Sequence, residues 1–179
     1  MPPSPNDQSA TPSVVTIRTA NRNDVPAIFD LLTDLAKTLE ETHLQRATRE
    51  DIAREGFGDS PCFRVLLAEV SGRPVGMALF FEAFSSWRGR RGVYVQDLYV
   101  APAQRGTGLG RRLLAAAGLS GKRAGCTHLR LSVAATNFAG RDFYRRIGMH
   151  ERDDEVICQI SDADFDDLAG SFEQSGGER

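Results

Sequence analysis

The stretch from Tyr94 to Ala117 constrains the fold more than any other. Tyr94-Val95-Gln96-Asp97-Leu98-Tyr99-Val100 has the β-branched and aromatic content of a strand, and Ala101-Pro102-Ala103-Gln104 turns the chain. Arg105-Gly106-Thr107-Gly108-Leu109-Gly110 follows, and Leu113, Leu114 and Ala117 continue from Leu109 at helical steps. A strand fed through glycines into a helix belongs to an α/β architecture. Glycines at a helix start let a ligand approach the main chain, and the first free N–H groups together with the helix dipole favour an anion there. The segment reads as a phosphate cradle. It lacks the Gly-Lys-Ser/Thr ending of a nucleotide-hydrolysing loop. It also lacks G-x-G-x-x-G spacing, because Gly106 and Gly108 lead to Arg111, and Gly108 and Gly110 lead to Leu113.

The rest of the chain supplies a frame. Val14 to Arg18 reads as a strand, and Val25, Ile28, Phe29, Leu32, Leu35, Ala36 and Leu39 mark an amphipathic helix with Asn23 near its cap and Pro26 in its first turn. Thr48-Arg49-Glu50-Asp51 is a capping-box-like start for a second helix that ends at Gly56 and Gly58. Three strands follow over 63–70, 74–84 and 92–100, then the glycine loop and its helix, a strand at 129–133, a helix at 138–147 and a last strand near Val156 to Ile160. The expected fold is a mixed α/β (α+β) domain over residues 14–170, with a mostly antiparallel sheet of about six strands flanked by about four helices. Residues 1–13 and 171–179 read as flexible tails.

Charge and cysteines bound the partners. The chain has 22 Lys+Arg against 24 Asp+Glu, a net charge of −2, so no global positive field draws it to nucleic acid. The densest basic run, Arg88-Gly89-Arg90-Arg91, reads as a solvated turn. Cys62, Cys126 and Cys158 are odd in number and far apart, as expected of reduced, buried residues in a cytoplasmic protein. His43, His128 and His150 lack a second histidine at ligand spacing, so no metal is expected. The N-terminus has no charged-then-apolar leader, and no stretch is long enough to span a bilayer, so neither secretion nor a membrane is expected.

Arg105-x-x-Gly108-x-Gly110 after Asp97-Leu98-Tyr99-Val100 resembles the pyrophosphate-binding motif of the GNAT acetyltransferases. Gly56-Phe57-Gly58, Leu66 to Val70, the Trp87 region, Asn137 and Asp142-Phe143-Tyr144-Arg145-Arg146-Ile147-Gly148 extend the likeness to the diamine, or spermidine/spermine, N-acetyltransferase branch. The resemblance implies acetyl-CoA as co-substrate. Leu98, Tyr99 and Val100 would bond its pantetheine arm through their backbones. Arg105, Gly106, Thr107, Gly108, Leu109, Gly110 and Arg111 would hold the pyrophosphate, and Asn137 and Tyr144 would lie beside the thioester. It also implies a small-molecule amine as acceptor and a homodimer.

Acetyl transfer from a thioester to an amine needs an oxyanion donor, a proton source for the departing thiolate and an unprotonated amine. Tyr144, with an ordinary pKa of about 10 against about 8.5 for a thiol, suits the second role. Beside Phe143 on a helix it also suits the core, and the resemblance favours catalysis. A backbone N–H near Leu98 suits the first role if the fourth strand splays from the fifth. Asn137 can cap the following helix, contact the cofactor, or both. The branch usually has Glu-Asp where this chain has Gln96-Asp97, which leaves Asp97 and Glu82 as candidate bases. The branch places Tyr-Glu after the Ala-Lys of its first helix, where this chain has Thr38-Leu39 after Ala36-Lys37, so Glu40 and Glu41 read either as displaced substitutes for that acid or as a solvated helix end; with them, Trp87, Gln96 and Asp97 are the expected acceptor contacts. Two other functions fit the same residues: acetylation of a protein lysine or N-terminus, and a non-catalytic acyl-CoA-binding domain.

Overall fold

A computed structural model describes residues 14–174. The elements are β1 (Val15–Thr19), α1 (Val25–Thr38), α2 (Arg49–Phe57), β2 (Arg64–Val70), β3 (Arg73–Ser85), β4 (Arg90–Val100), α3 (Leu109–Arg123), β5 (Leu129–Leu131), α4 (Phe138–Arg146) and α5 (Asp162–Gln174). They form two compact units that divide between Arg141 and Asp142.

In the first unit the five strands make one sheet in sequence order. β1 to β4 are antiparallel, and β5 is parallel to β4. Alternation along the strands sends residues to opposite faces. On one face Val65, Leu67, Met77, Leu79 and Tyr99 pack with Ile28 and Leu31 of α1 and Ile52 of α2. Leu109, Leu113, Leu114 and Ala117 of α3 are buried against the sheet, and a Cβ on Gly121 would run into the Val93 side chain. Leu113 is fully buried and anchors the helix that carries the glycine loop. Leu113→Ala is expected to cost about 2–5 kcal/mol, the range for truncating a buried leucine, readable as a lower urea midpoint at unchanged slope.

Local signals explain the helix starts. Thr48 and Asp51 form the reciprocal capping box that their spacing predicts. Ahead of α1, a single turn over Arg22–Asp24 is boxed by Asn21 and Asp24, and Asp24 also takes two hydrogen bonds from the Arg18 guanidinium, both 2.7 Å. That pairing holds the Asp24 carboxyl below its ordinary range.

Four expectations need correction. Residues 155–161 form no strand, and Val156, Ile157 and Ile160 are exposed; β propensity needs a neighbouring strand to act on, and none pairs with this segment among the described residues. The sheet accordingly has five strands. β5 is three residues long, shorter than the expected 129–133. Helix α5, whose Phe165, Leu168 and Phe172 recur at helical steps, was not foreseen, and it carries residues 171–174 of the expected C-terminal tail. The remainder of that tail and the expected N-terminal tail lie outside the described residues. Finally, all three cysteines are free, but only Cys126 is buried; Cys62 and Cys158 are exposed.

Candidate active site

The glycine loop adopts backbone that favours glycine. Gly106 and Gly108 have φ of 78° and 82°, the left-handed region, and a Cβ at either would meet nothing within 4 Å. Gly108 caps α3, and the Arg112 N–H is bonded to the Gly108 carbonyl at 3.1 Å. The N–H groups of Leu109, Gly110 and Arg111, ahead of that bond, have no carbonyl a turn back to take them. The Thr107 hydroxyl donates to the Gln104 carbonyl at 2.7 Å, closing the turn. Arg105 lies across the loop's base, where its Nε donates to the Val100 carbonyl at 3.0 Å and its guanidinium reaches the Thr38 hydroxyl at the end of α1 at 3.4 Å. An open, amide-lined helix start with Arg105 and Arg111 beside it fits the diphosphate of acetyl-CoA.

β4 is built to expose its second half. It pairs with β5 only at Val93, Tyr94 and Val95, so residues 96–100 have, among the described residues, no strand on that side. On the other side the register slips: Val95 opposes Phe80 and Asp97 opposes Leu79, which leaves Gln96 as an inserted residue. Were Gln96 paired in a regular ladder, Asp97 would follow Val93 and Val95 toward α3. With the insertion, Asp97 shares the face of Leu79, Met77 and Tyr99, toward α1 and α2. The chain thus offers a free strand edge and, on the side of α1 and α2, an inward-turned carboxylate.

That carboxylate lines a cavity of about 640 Å³. The apolar wall comes from Leu32 and Leu35 of α1 and Leu39 just after it, with Ile52, Phe63 and Leu79, and the polar groups are Glu41, Gln45, Arg46, Asp51, Glu55, Gln96 and Asp97. The acids differ in availability. Asp51 accepts from the Thr48 N–H and hydroxyl and from Arg54, which hold it down to about 2. Glu55 accepts from the Arg54 Nε at 2.7 Å. Asp97 has no side-chain partner among the described residues, and burial pushes its pKa up to about 6. It is the cavity acid placed to exchange a proton near neutrality.

The other expected site residues separate. Gln96, Asp97 and Glu41 meet in the cavity wall, whereas Glu40 and Trp87 are not part of it; Trp87 is 99% exposed in the turn between β3 and β4. Glu82 is bound by Arg64 at 2.8 Å and Arg91 at 2.9 Å, which is salt-bridge duty. The Asn137 side-chain oxygen Oδ1 accepts the Gly140 N–H at 2.9 Å, so it does cap α4. In the second unit Tyr144 sits on α4 with its ring 5.2 Å from that of Phe143, and burial raises its phenol above the usual 10, which keeps the hydroxyl protonated at neutral pH. Sequence reasoning missed Arg46, Asp51 and Glu55. The last two stand four residues apart on α2, a spacing that puts both on one helix face.

Known proteins resemble this chain in sequence and in fold. Residues 25–149 match the acetyltransferase (GNAT) family. The bovine thialysine N-epsilon-acetyltransferase (Bos taurus) is 30% identical over 145 residues, covering 76% of this chain and 85% of that protein. The human spermidine/spermine N(1)-acetyltransferase-like protein 1 (Homo sapiens) is 31% identical over 139 residues, covering 74% of this chain and 20% of its own length. In fold, an aminoglycoside N-acetyltransferase solved in complex with CoA superposes with a TM-score of 0.69 at 17% identity, over 84% of this chain and 97% of that one. With the match spanning the strand, the glycine loop and the helices on either side, the chain belongs to the GNAT family of acetyltransferases.

Proposed function

We propose that this chain transfers the acetyl group of acetyl-CoA to a primary amine of a small, cationic molecule, a diamine, polyamine or amino-acid-like compound, with residues 14–170 working as one catalytic domain. The observation that carries the reading is the unpartnered Asp97 carboxylate in a cavity that also holds Glu41, Asp51 and Glu55. An amine with a pKa near 10 arrives protonated, so it is drawn to acids and must lose a proton before it can attack. The names of the relatives, which specify thialysine, spermidine/spermine and, in Arabidopsis thaliana, L-ornithine, support an acceptor of this size and charge.

Acetyl-CoA supplies the activated acetyl thioester. The N–H groups from Gly106 to Arg111 hold its diphosphate, and the backbone of Leu98, Tyr99 and Val100 bonds the pantetheine arm along the free edge of β4. Asp97 takes the ammonium proton, directly or through one water, and Glu41 orients the cationic acceptor. A backbone N–H near Leu98 stabilises the developing oxyanion. Tyr144 donates its proton to the departing sulfur, and Asn137 adds a cofactor contact to its capping role. A cytoplasmic, homodimeric protein completes the reading.

Purified protein, acetyl-CoA and a panel of diamines, polyamines and basic amino acids test it: release of CoA thiol is expected with at least one member, and release with none overturns it. Tyr144→Phe is expected to lower kcat by about 10²-fold or more, the general-acid range, while acetyl-CoA affinity by calorimetry stays within a few-fold. Unchanged turnover would remove Tyr144 from the chemistry.

A further inference from the structure

We propose that the acceptor is an amino acid with a terminal side-chain amine, and that Arg130, Tyr94 and Ser132 hold its carboxylate. The inference rests on the acetyl-transfer reading and narrows it, from any small cationic amine to one that also carries an anion.

The register of the sheet places these residues on the face of Asp97. Leu79 and Asp97 oppose each other in the cavity wall, and Phe81, the next residue of β3 on that face, opposes Tyr94. The Phe81 and Tyr94 rings stack at 5.1 Å. β5 flanks β4 on the other side, where Arg130 opposes Tyr94 and lays its guanidinium over that ring, 5.8 Å from the centroid. Ser132, just past the end of β5, returns to the same face, and its hydroxyl meets the Tyr94 hydroxyl at 2.8 Å.

The donors here suit an anion. Two hydroxyls joined by one hydrogen bond still have an O–H left to donate. Stacking uses the face of a guanidinium and none of its N–H groups, and that planar fork matches a carboxylate. The strand residues of this face beyond Asp97 include no acid: Ala83 and Gly92 follow the Phe81–Tyr94 pair, and a Cβ on Gly92 would run into the His128 ring. The cavity on the near side of Asp97 holds Glu41, Asp51 and Glu55. An acceptor therefore meets acids at one end and a cation with hydroxyls at the other. A second ammonium would be repelled by Arg130, whereas a carboxylate is drawn to it.

Chain direction fixes the order of the groups. The glycine loop follows the C-terminal end of β4, so an acetyl-CoA arm lying along Val100, Tyr99 and Leu98 reaches Asp97 from that end. An acceptor that meets the thioester there extends the opposite way, toward Tyr94. The step from Asp97 back to Tyr94 spans about 10 Å of strand, room for the carbon chain of a basic amino acid with a hydrogen bond of about 2.8 Å at each end. The paired rings of Phe81 and Tyr94 flank its methylenes.

Initial rates at saturating acetyl-CoA compare L-lysine with cadaverine and L-ornithine with putrescine, pairs that differ only in the carboxylate. The parent is expected to favour each amino acid at least tenfold in kcat/KM, the scale of a charge-assisted hydrogen bond. Arg130→Gln should raise KM for the amino acids at least tenfold with kcat nearly kept, because the carboxylate lies away from the reacting atoms. The same variant should raise kcat/KM for the diamines, since it removes a repelling cation. Melting curves and calorimetry with CoA establish that it is folded. Diamines used as well as the amino acids by the parent, or an Arg130→Gln loss equal for both members of a pair, would overturn this inference and leave acetyl transfer standing. Turnover of no amine at all would overturn the reading beneath it, and the inference with it.

Discussion

Gly108→Glu is expected to abolish acetyl-CoA binding in a protein that still folds. The position has a φ of 82°, so any side chain there costs about 1–2 kcal/mol of backbone strain. No atom lies within 4 Å of the added Cβ, so nothing in the protein is displaced. A carboxylate at a helix N-terminus returns about 0.3–1 kcal/mol through the dipole. The variant should therefore remain folded, with a modestly lower melting temperature. Toward the ligand the effect is far larger, because the new carboxylate claims the N–H groups at the head of α3 and repels a diphosphate. Affinity for CoA in calorimetry should fall at least hundredfold, about 2.7 kcal/mol or more. Gly108→Ala, which adds strain without charge, should weaken it only several-fold. A folded Gly108→Glu protein that binds CoA as well as the parent would show that the loop does not hold the cofactor.

Asp97→Asn is expected to remove most activity and, above neutrality, to stabilise the fold. As general base Asp97 contributes about 10²- to 10⁴-fold to the rate. The parent's kcat/KM should climb with pH through about 6, where Asp97 loses its proton, and the variant should lose both the rate and that rise. The stability effect follows from the direction of the shift. The folded carboxyl titrates near 6 and the unfolded one near 3.8, so between those values the folded state holds more protons and stability falls as pH rises. Below both values the penalty is absent, and above both it is complete, up to about 3 kcal/mol. Asparagine carries no charge to bury. Chemical denaturation should therefore find Asp97→Asn more stable than the parent at about pH 8, with the gain gone near pH 3.5. A variant no more stable at high pH would mean that Asp97 is not held in the desolvated setting described.

What was legible in the sequence was local. Thr48 and Asp51 announce their helix because both partners of the box lie within one turn, and Gly106 and Gly108 announce theirs because left-handed backbone is a single-residue property. The three strands expected over 63–70, 74–84 and 92–100 from composition alone are present over 64–70, 73–85 and 90–100. The cavity was not, since its wall is assembled from α1, α2, β3 and β4, and only the packed fold shows which leucines of α1 face an opening and which the core. The same holds for Glu82, whose pairing with Arg64 crosses from β3 to β2, and for Trp87, which the sequence suggested for an acceptor wall and which stands at a hairpin tip. Val156 to Ile160 has a strand's composition without a strand's neighbour.

The inserted residue at position 96 means that the aim of the carboxylate is set by counting. Exchanging Gln96 for another side chain alters what lines the cavity and leaves Asp97 where it is. Were position 96 instead paired within the ladder without interruption, every residue from there toward Tyr99 would turn to the opposite face, so that the acid would be delivered into hydrocarbon and Leu98 into the cavity beside α1 and α2. Here the offset of one strand against the other, more than side-chain identity, carries the chemical instruction.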